Sequence, residues 1–315
     1  MAASRVSVKA IRNDVGTIEA RTARGGVVDH LVLLKPRVMS LVVFTGAVGY
    51  ALAPGAVDWL RLIATLSAMA AGAGACGALN MWWDADIDAN MARTAMRPIP
   101  RGSVAAHEAL AIGLLLSVVS VIALGLQVNR LAAALLMLTI AVYVPLYTMV
   151  LKRRTPLNIV IGGAAGALPP VIGWAAATGT LSPGPIALFL IIFLWTPPHF
   201  WALALCRSTD YERVGVPMLP NVVGHVETCR QILVYTALVA AASYGALAIP
   251  GVGWVYGVIV TTCNGMFLWR AFALYRLRKA DESPRRKAAM ALFGYSILYM
   301  FLVFATLLAQ VFLRG

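Results

Sequence analysis

The chain has 315 residues, of which 60% are hydrophobic and 12% charged, and its mean hydropathy is +0.80; a water-soluble domain of this length cannot hide so much apolar surface, so the bilayer must be the solvent. The formal net charge of +13 would suit a nucleic-acid partner, but the placement of the basic residues excludes one.

Residues 1–30 are mixed in charge and poor in aromatics, and read as a mobile cytoplasmic arm ahead of a transmembrane domain over 31–315. The acids Asp14, Glu19 and Asp29 in that arm argue against a mitochondrial transit peptide. Nine apolar runs follow, at 38–54, 60–80, 109–127, 131–150, 157–177, 184–206, 231–249, 253–273 and 290–313. They are of the length needed to cross ~30 Å of hydrocarbon, about 20 residues, the shortest, 38–54, being marginal alone. The expected fold is therefore all-α, a polytopic membrane bundle of about nine transmembrane helices. Ala51-Leu52-Ala53 resembles a signal-peptidase site, but the polar lead is too long and the run exceeds a normal signal-peptide core, so it counts as a span.

The connections alternate in character. Those at 54–59, 127–130, 178–183 and 250–252 are short and almost uncharged, and of 26 Lys and Arg residues only Arg61, Arg130 and Arg314 fall on their side. This is the positive-inside pattern, with the N-terminus in the cytoplasm and the C-terminus outside, and it explains the basic charge without an acidic partner. Cys76, Cys206, Cys229 and Cys263 lie in or beside spans with no CxxC spacing, so neither a disulfide nor a metal site is expected. Gly72 and Gly74 with Cys76, and Gly162, Gly163 and Gly166, are read as permitting close helix approach.

The reactive groups gather on the basic face. After the second span comes Asn80-x3-Asp84-x3-Asp88, then Arg93 and Arg97. On a helix this spacing aligns Asn80, Asp84 and Asp88 on one face and turns Asp86 away. Anions so aligned at a membrane boundary repel one another unless a cation bridges them, and hard oxygen ligands suit Mg²⁺, which takes one or two carboxylates and leaves positions for water and phosphate oxygens. Arg93 and Arg97 then suit a phosphate-bearing substrate. Lys152-Arg153-Arg154, between the fourth and fifth spans, reads either as a membrane anchor or as more phosphate-binding charge. Tyr143 and Tyr147 read as interfacial belt residues. Within the sixth span Pro197-Pro198 is expected to break the helix beside His199, which is either a packed core residue or a ligand in a widened cavity. Asp210-Tyr211-Glu212 follows.

These motifs, with Lys35-Pro36-Arg37, the run Lys152-Arg-Arg-Thr-Pro-Leu-Asn, Pro197-Pro-His-Phe-Trp and Asp210-Tyr-x3-Gly-Val-Pro-Met-Leu-Pro, resemble the haem-farnesylating branch of the UbiA superfamily of intramembrane prenyltransferases over about residues 31–315. The Asn-x3-Asp-x3-Asp motif carries the superfamily; His199 and Asp210-Tyr211 carry the branch. One departure stands out: the superfamily's second Asp-x3-Asp motif has Val214 in its last position here, which leaves the number of Mg²⁺ ions open.

The resemblance implies farnesyl diphosphate, haem B and water as substrates, haem O and diphosphate as products, Mg²⁺ as cofactor on Asp84 and Asp88, and a location in the cell inner membrane with the site on its cytoplasmic side. It implies catalytic roles for Asn80, Asp84, Asp88, Asp210 and Tyr211, diphosphate binding by Arg93, Arg97, Lys152, Arg153 and Arg154, haem binding by His199, and a cavity lined by Trp82, Trp83, Phe200, Trp201 and Tyr211. A downstream haem-modifying enzyme is a candidate partner. The alternatives are a related enzyme that prenylates a quinone precursor or a chlorin, separable by whether haem is needed to consume the diphosphate, and a transporter, whose polar residues would reach both faces.

Overall fold

The computed structural model describes residues 26–312, which are mostly helical, with no strand among them. A short helix α1 (Val27–Leu33) meets α2 (Pro36–Leu52) at 53°, and eight further helices, or nine spans if the bent pair is counted, are long and apolar enough to cross a membrane. The chain is a multi-pass membrane protein. Residues 27–30, read as part of the arm, belong to α1, which follows Gly26 and whose Leu33 is buried; arm residues 1–25, and Arg314, lie outside the described residues.

The second span, α3 (Trp59–Trp83), starts at an Asp58 cap whose carboxylate accepts from the Arg61 N–H at 3.0 Å. It leads into α4 (Ala85–Ala89), then an irregular stretch, then α5 (Ala106–Gln127) and α6 (Arg130–Ala141). Asn129 caps α6 through Ala132 N at 2.8 Å and donates to Ala175 O at 2.8 Å, which fastens this corner to the fifth span. Pro145, which lacks a ladder donor, lies where α6 widens into π-helical turns over Val142–Leu151. The fifth span is two stacked helices, α7 (Asn158–Ala167) and α8 (Pro169–Thr178), because Pro169 and Pro170 open a new first turn.

The sixth span, α9 (Pro183–Leu205), corrects an expectation. It stays helical through Pro197 and Pro198, held between α7, α11 and α13, so the pair removes ladder hydrogen bonds without breaking the helix. After α10 (Ser208–Arg213), α11 (Leu219–Ser243) departs from helical geometry at Gly224, whose φ of 79° sets the first turn apart from the membrane helix. A 3-10 turn (Tyr244–Ala248), α12 (Trp254–Arg276) and α13 (Glu282–Phe312) complete the bundle, α13 beginning well before the apolar run that marked it.

Two large apolar cores result, with three smaller clusters beside them among the described residues. One joins α2 with α7 to α9 and α11 to α13; the other joins α2, α3, α5, α6 and α8. Helices α2 and α8 serve both, and they cross at backbone contact: a Cβ on Gly173 would stand 2.0 Å from Gly46 O, and one on Gly49 would stand 2.1 Å from Pro170 O. The glycines singled out from sequence behave unevenly. A Cβ would stand 2.9 Å from Leu136 at Gly72, 3.2 Å from Leu34 at Gly74, 2.3 Å from Tyr147 at Gly162 and 3.0 Å from Thr196 at Gly163, whereas at Gly166 it would meet nothing within 4 Å, so Gly166 permits no close approach. All four cysteines are free.

Gly173→Ala should lower the thermal midpoint of the detergent-solubilised protein, by roughly 1–3 kcal/mol of stability, because the new methyl meets main chain that cannot move aside. Gly166→Ala, in open space, should leave the midpoint unchanged, and equal midpoints for the two variants would contradict the crossing described.

Candidate active site

Helix α3 stops at Trp83, and Asp84, at φ −90° and ψ 8°, joins it to α4. The backbone bonds Asp84 N to Asn80 O (3.0 Å) and Asp88 N to Asp84 O (2.8 Å) carry the four-residue spacing across that joint. Asn80, Asp84 and Asp88 consequently turn into the bundle and are buried, while the side chain of Asp86 is 64% exposed.

Basic side chains from three other segments meet these residues. Lys35, in the turn between α1 and α2, donates to Asn80 Oδ1 at 2.5 Å. Asn80 Nδ2 donates to Asp84 Oδ2 at 2.8 Å and to Thr148 Oγ1 of the π-helical segment at 3.2 Å. Lys152, just beyond that segment, donates to Asp84 Oδ2 at 2.5 Å, and Arg97 donates to Asp88 Oδ2 at 2.5 Å. Thr94 Oγ1 holds the Asp88 carbonyl at 3.0 Å and so shapes the turn that brings Arg97 back. Arg153 forks onto the exposed Asp86 at 2.9 and 2.7 Å, and these hydrogen bonds hold the Asp86 carboxyl below its ordinary range.

One oxygen is left over. Asp84 Oδ1 is buried without a hydrogen-bond partner, with Arg153 Nη2 3.9 Å away. An orphaned carboxylate oxygen in a fully buried residue, beside a second buried carboxylate and an amide oxygen, is the donor set a hard divalent cation takes, and two carboxylates are within what Mg²⁺ uses. The oxygens therefore fit the ion, although no group of three or more His, Cys, Asp or Glu side chains converges as a metal centre among the described residues.

The other sequence candidates separate. Arg93 and Arg154 are exposed and form no ion pair among the described residues, and Arg93 lies in a run of turns rather than on a helix with Arg97. Asp210 on α10 faces Arg207 at 3.8 Å. Tyr211 packs in a small apolar cluster with Ile87, Met91, Ile159 and Met218, which ties α10 to the acid-bearing turn, while Glu212 is exposed. His199 stands apart from the acids, on α9, with Nδ1 2.6 Å from Ser296 Oγ of α13.

The proposed aromatic lining needs correction. Trp201 is fully buried edge-on against Tyr235, and Trp83 and Phe200 are exposed, since their positions fall on outward helix faces. Tyr143 and Tyr147 do not form an interfacial belt. Their rings lie 5.5 Å apart, Tyr147 against Gly162 of α7 and Tyr143 beside Cys76 and Leu79 of α3, because the π-helical turns rotate this stretch inward. Thr148 and the pairing role of Lys35 went unread; Pro145 in an apolar span was the available signal for the first.

An all-helical membrane bundle whose buried acids and basic groups converge at one mouth defines an intramembrane enzyme site that handles a charged group, rather than a conduit through both faces. Residues 42–302 match the UbiA prenyltransferase family. The chain belongs to that family and is a prenyltransferase. It is 56% identical over 286 residues to Protoheme IX farnesyltransferase of Parvibaculum lavamentivorans, covering 91% of this chain and 89% of that protein. Among solved structures it is similar to a digeranylgeranylglyceryl phosphate synthase, with a TM-score of 0.75 at 18% identity over 90% of this chain and 98% of that one. It is also similar to a UbiA homolog from Archaeoglobus fulgidus bound to DMAPP and Mg²⁺, with a TM-score of 0.62 at 14% identity over 89% of this chain and 99% of that one. At these identities the two structures establish the fold.

Lys152→Met removes the counter-charge of a carboxylate that has no exposure, and breaking such a buried pair costs about 3–5 kcal/mol. The variant should melt earlier than the parent in detergent without divalent ions and regain more stability than the parent does on addition of Mg²⁺. A variant indifferent to Mg²⁺ would count against a cation site at Asp84.

Proposed function

We propose that the chain transfers the farnesyl group of farnesyl diphosphate to a vinyl group of haem B, with addition of water, to give haem O and diphosphate, and that it depends on Mg²⁺. The observation that carries the reading of the site is the unpaired Oδ1 of buried Asp84 amid Lys35, Arg97 and Lys152. The similarity to the Parvibaculum farnesyltransferase, over most of both chains, supports the choice of substrates.

Asp84 and Asp88, with the amide oxygen of Asn80, would hold Mg²⁺. The chemistry such an ion would supply there is positive charge against the departing diphosphate. Arg97, Lys152 and Arg153 bring positive charge to the same mouth and Lys35 adds a further N–H donor, and these preorganised groups stabilise the diphosphate more as the allylic C–O bond opens than before. Arg93 and Arg154 stand exposed near the same connections and supply longer-range attraction for an anionic substrate. No side chain needs to act as a nucleophile, because the vinyl group captures the allylic cation and water then adds to the cation formed beside the porphyrin. Tyr143 and Tyr147 offer ring faces to the allylic cation and keep water from it. Tyr211, anchored to the acid-bearing turn through Ile87 and Met91, and its neighbour Asp210 are assigned to the second side of the site, and His199 to the haem.

The basic asymmetry of the connections supports a reading in which the site faces the cytoplasmic side of the cell inner membrane, with the N-terminus on that side and the C-terminus outside. A haem-modifying enzyme that accepts haem O is the natural downstream partner.

Asp84→Ala and Asp88→Ala should each abolish haem O formation at matched expression, while Asp86→Ala, which alters only an exposed pair with Arg153, should retain much of it. Chromatography of haems extracted from cells expressing each variant checks this; equal loss at all three positions would contradict the assignment of the buried face.

A further inference from the structure

His199 is held in a way that simple packing does not require. Its ring is stacked with Trp195, at a centroid distance of 4.2 Å, and with Phe293, at 4.6 Å. Its Nδ1 lies 2.6 Å from Ser296 Oγ on α13. The same turn of α13 is fixed by a second contact, from Trp195 Nε1 to the Ser296 carbonyl at 2.8 Å.

The proton positions follow from the partners. A serine hydroxyl has one hydrogen, and Ser296 Oγ lies 2.6 Å from the carbonyl of Phe293, which can only accept. The hydroxyl hydrogen is committed there, so toward His199 the oxygen accepts. The donor is Nδ1–H, and a neutral imidazole protonated at Nδ1 keeps its lone pair on Nε2. That nitrogen makes no hydrogen bond among the described residues, although His199 is only 8% exposed. A clamp between two membrane helices needs only the Ser296 contact, whereas Nε2 is neither hydrogen-bonded nor one of the sealed, unpartnered polar atoms of the described residues, so it is left open to a ligand. The arrangement is that of a metal-binding imidazole whose second nitrogen is oriented by a hydrogen-bond acceptor.

We propose that Ser296 is a positioning residue that holds His199 in the Nδ1–H form and aims the free Nε2 at the iron of the haem substrate. This rests on the assignment of His199 to haem made above. The hydrogen bond fixes the ring about its Cβ–Cγ bond and adds electron density to Nε2, so the porphyrin is held at one distance and tilt while its vinyl group meets the allylic cation.

The test uses the purified full chain, titrated with haem B and followed by absorbance and, in the ferrous complex, by the iron–histidine stretching band in resonance Raman. His199→Ala is the reference, and Ser296→Ala, Ser296→Val and Ser296→Thr are the test set, with Thr and Val matched in shape and differing in the hydroxyl. Ser296→Ala and Ser296→Val should weaken haem B binding about tenfold, the usual cost of losing such an orienting partner, and lower the frequency of the stretching band, while Ser296→Thr should restore both. Wild-type affinity and band frequency in Ser296→Ala and Ser296→Val, alongside loss of both in His199→Ala, would overturn the role of Ser296 and leave the haem assignment standing. An unchanged absorbance spectrum and affinity in His199→Ala would remove the haem assignment itself, and this inference with it. If Ser296→Val folds poorly, Ser296→Ala, which only removes an atom, decides the matter.

Discussion

Everything at the mouth of this bundle depends on neutralising Asp84. Its side chain has no exposure, and a carboxylate taken so far from water is tolerable only if opposite charge and hydrogen bonds replace the solvent. Lys152 and the Asn80 amide supply most of that, yet one oxygen stays unpaired. The protein's own ammonium group thus balances the charge incompletely, and the remaining capacity is what a divalent cation and an anionic substrate would use. Asp88 repeats the pattern with Arg97. Because each counter-ion comes from a different connection, the pairs also fasten the loops around the end of α3.

That convergence requires the helices to stand in fixed relation. The backbone contact between α2 and α8 ties together the two apolar cores, so Lys35, at the start of α2, is held in register with α3. The π-helical turns around Pro145 do comparable work on the opposite side, rotating Tyr143, Tyr147 and Thr148 inward and delivering Lys152 to Asp84. An ordinary α-helix over the same residues would distribute these side chains differently, which is why an irregular stretch sits beside the reactive groups.

The α9–α13 interface follows another rule. There the polar atoms are few and the surroundings aromatic, and the orientation of a single imidazole is set by one serine. In the proposed reaction the two regions divide the labour: fixed charge takes the diphosphate, and an uncharged, aromatic-walled position takes the porphyrin. A cation released between them would be kept from water by the apolar core rather than by any side-chain nucleophile.

The sequence by itself determined the membrane fold and the number of spans, because apolar length is a local, additive property that needs no tertiary information. It also gave the inward face of Asn80, Asp84 and Asp88, since a four-residue spacing survives the small break at Asp84. Only the tertiary structure decided which cation meets which acid, that Arg153 joins exposed Asp86 while Lys152 takes buried Asp84, and that Arg93 and Arg154 stand free of the acids. It alone kept α9 helical through Pro197-Pro198, turned Tyr143 and Tyr147 inward, and placed the closest helix crossing at Gly46, Gly49 and Gly173. Each of these is fixed by groups distant in sequence: a proline's effect on a helix depends on the neighbours that brace it, and a charge pair depends on where two loops meet.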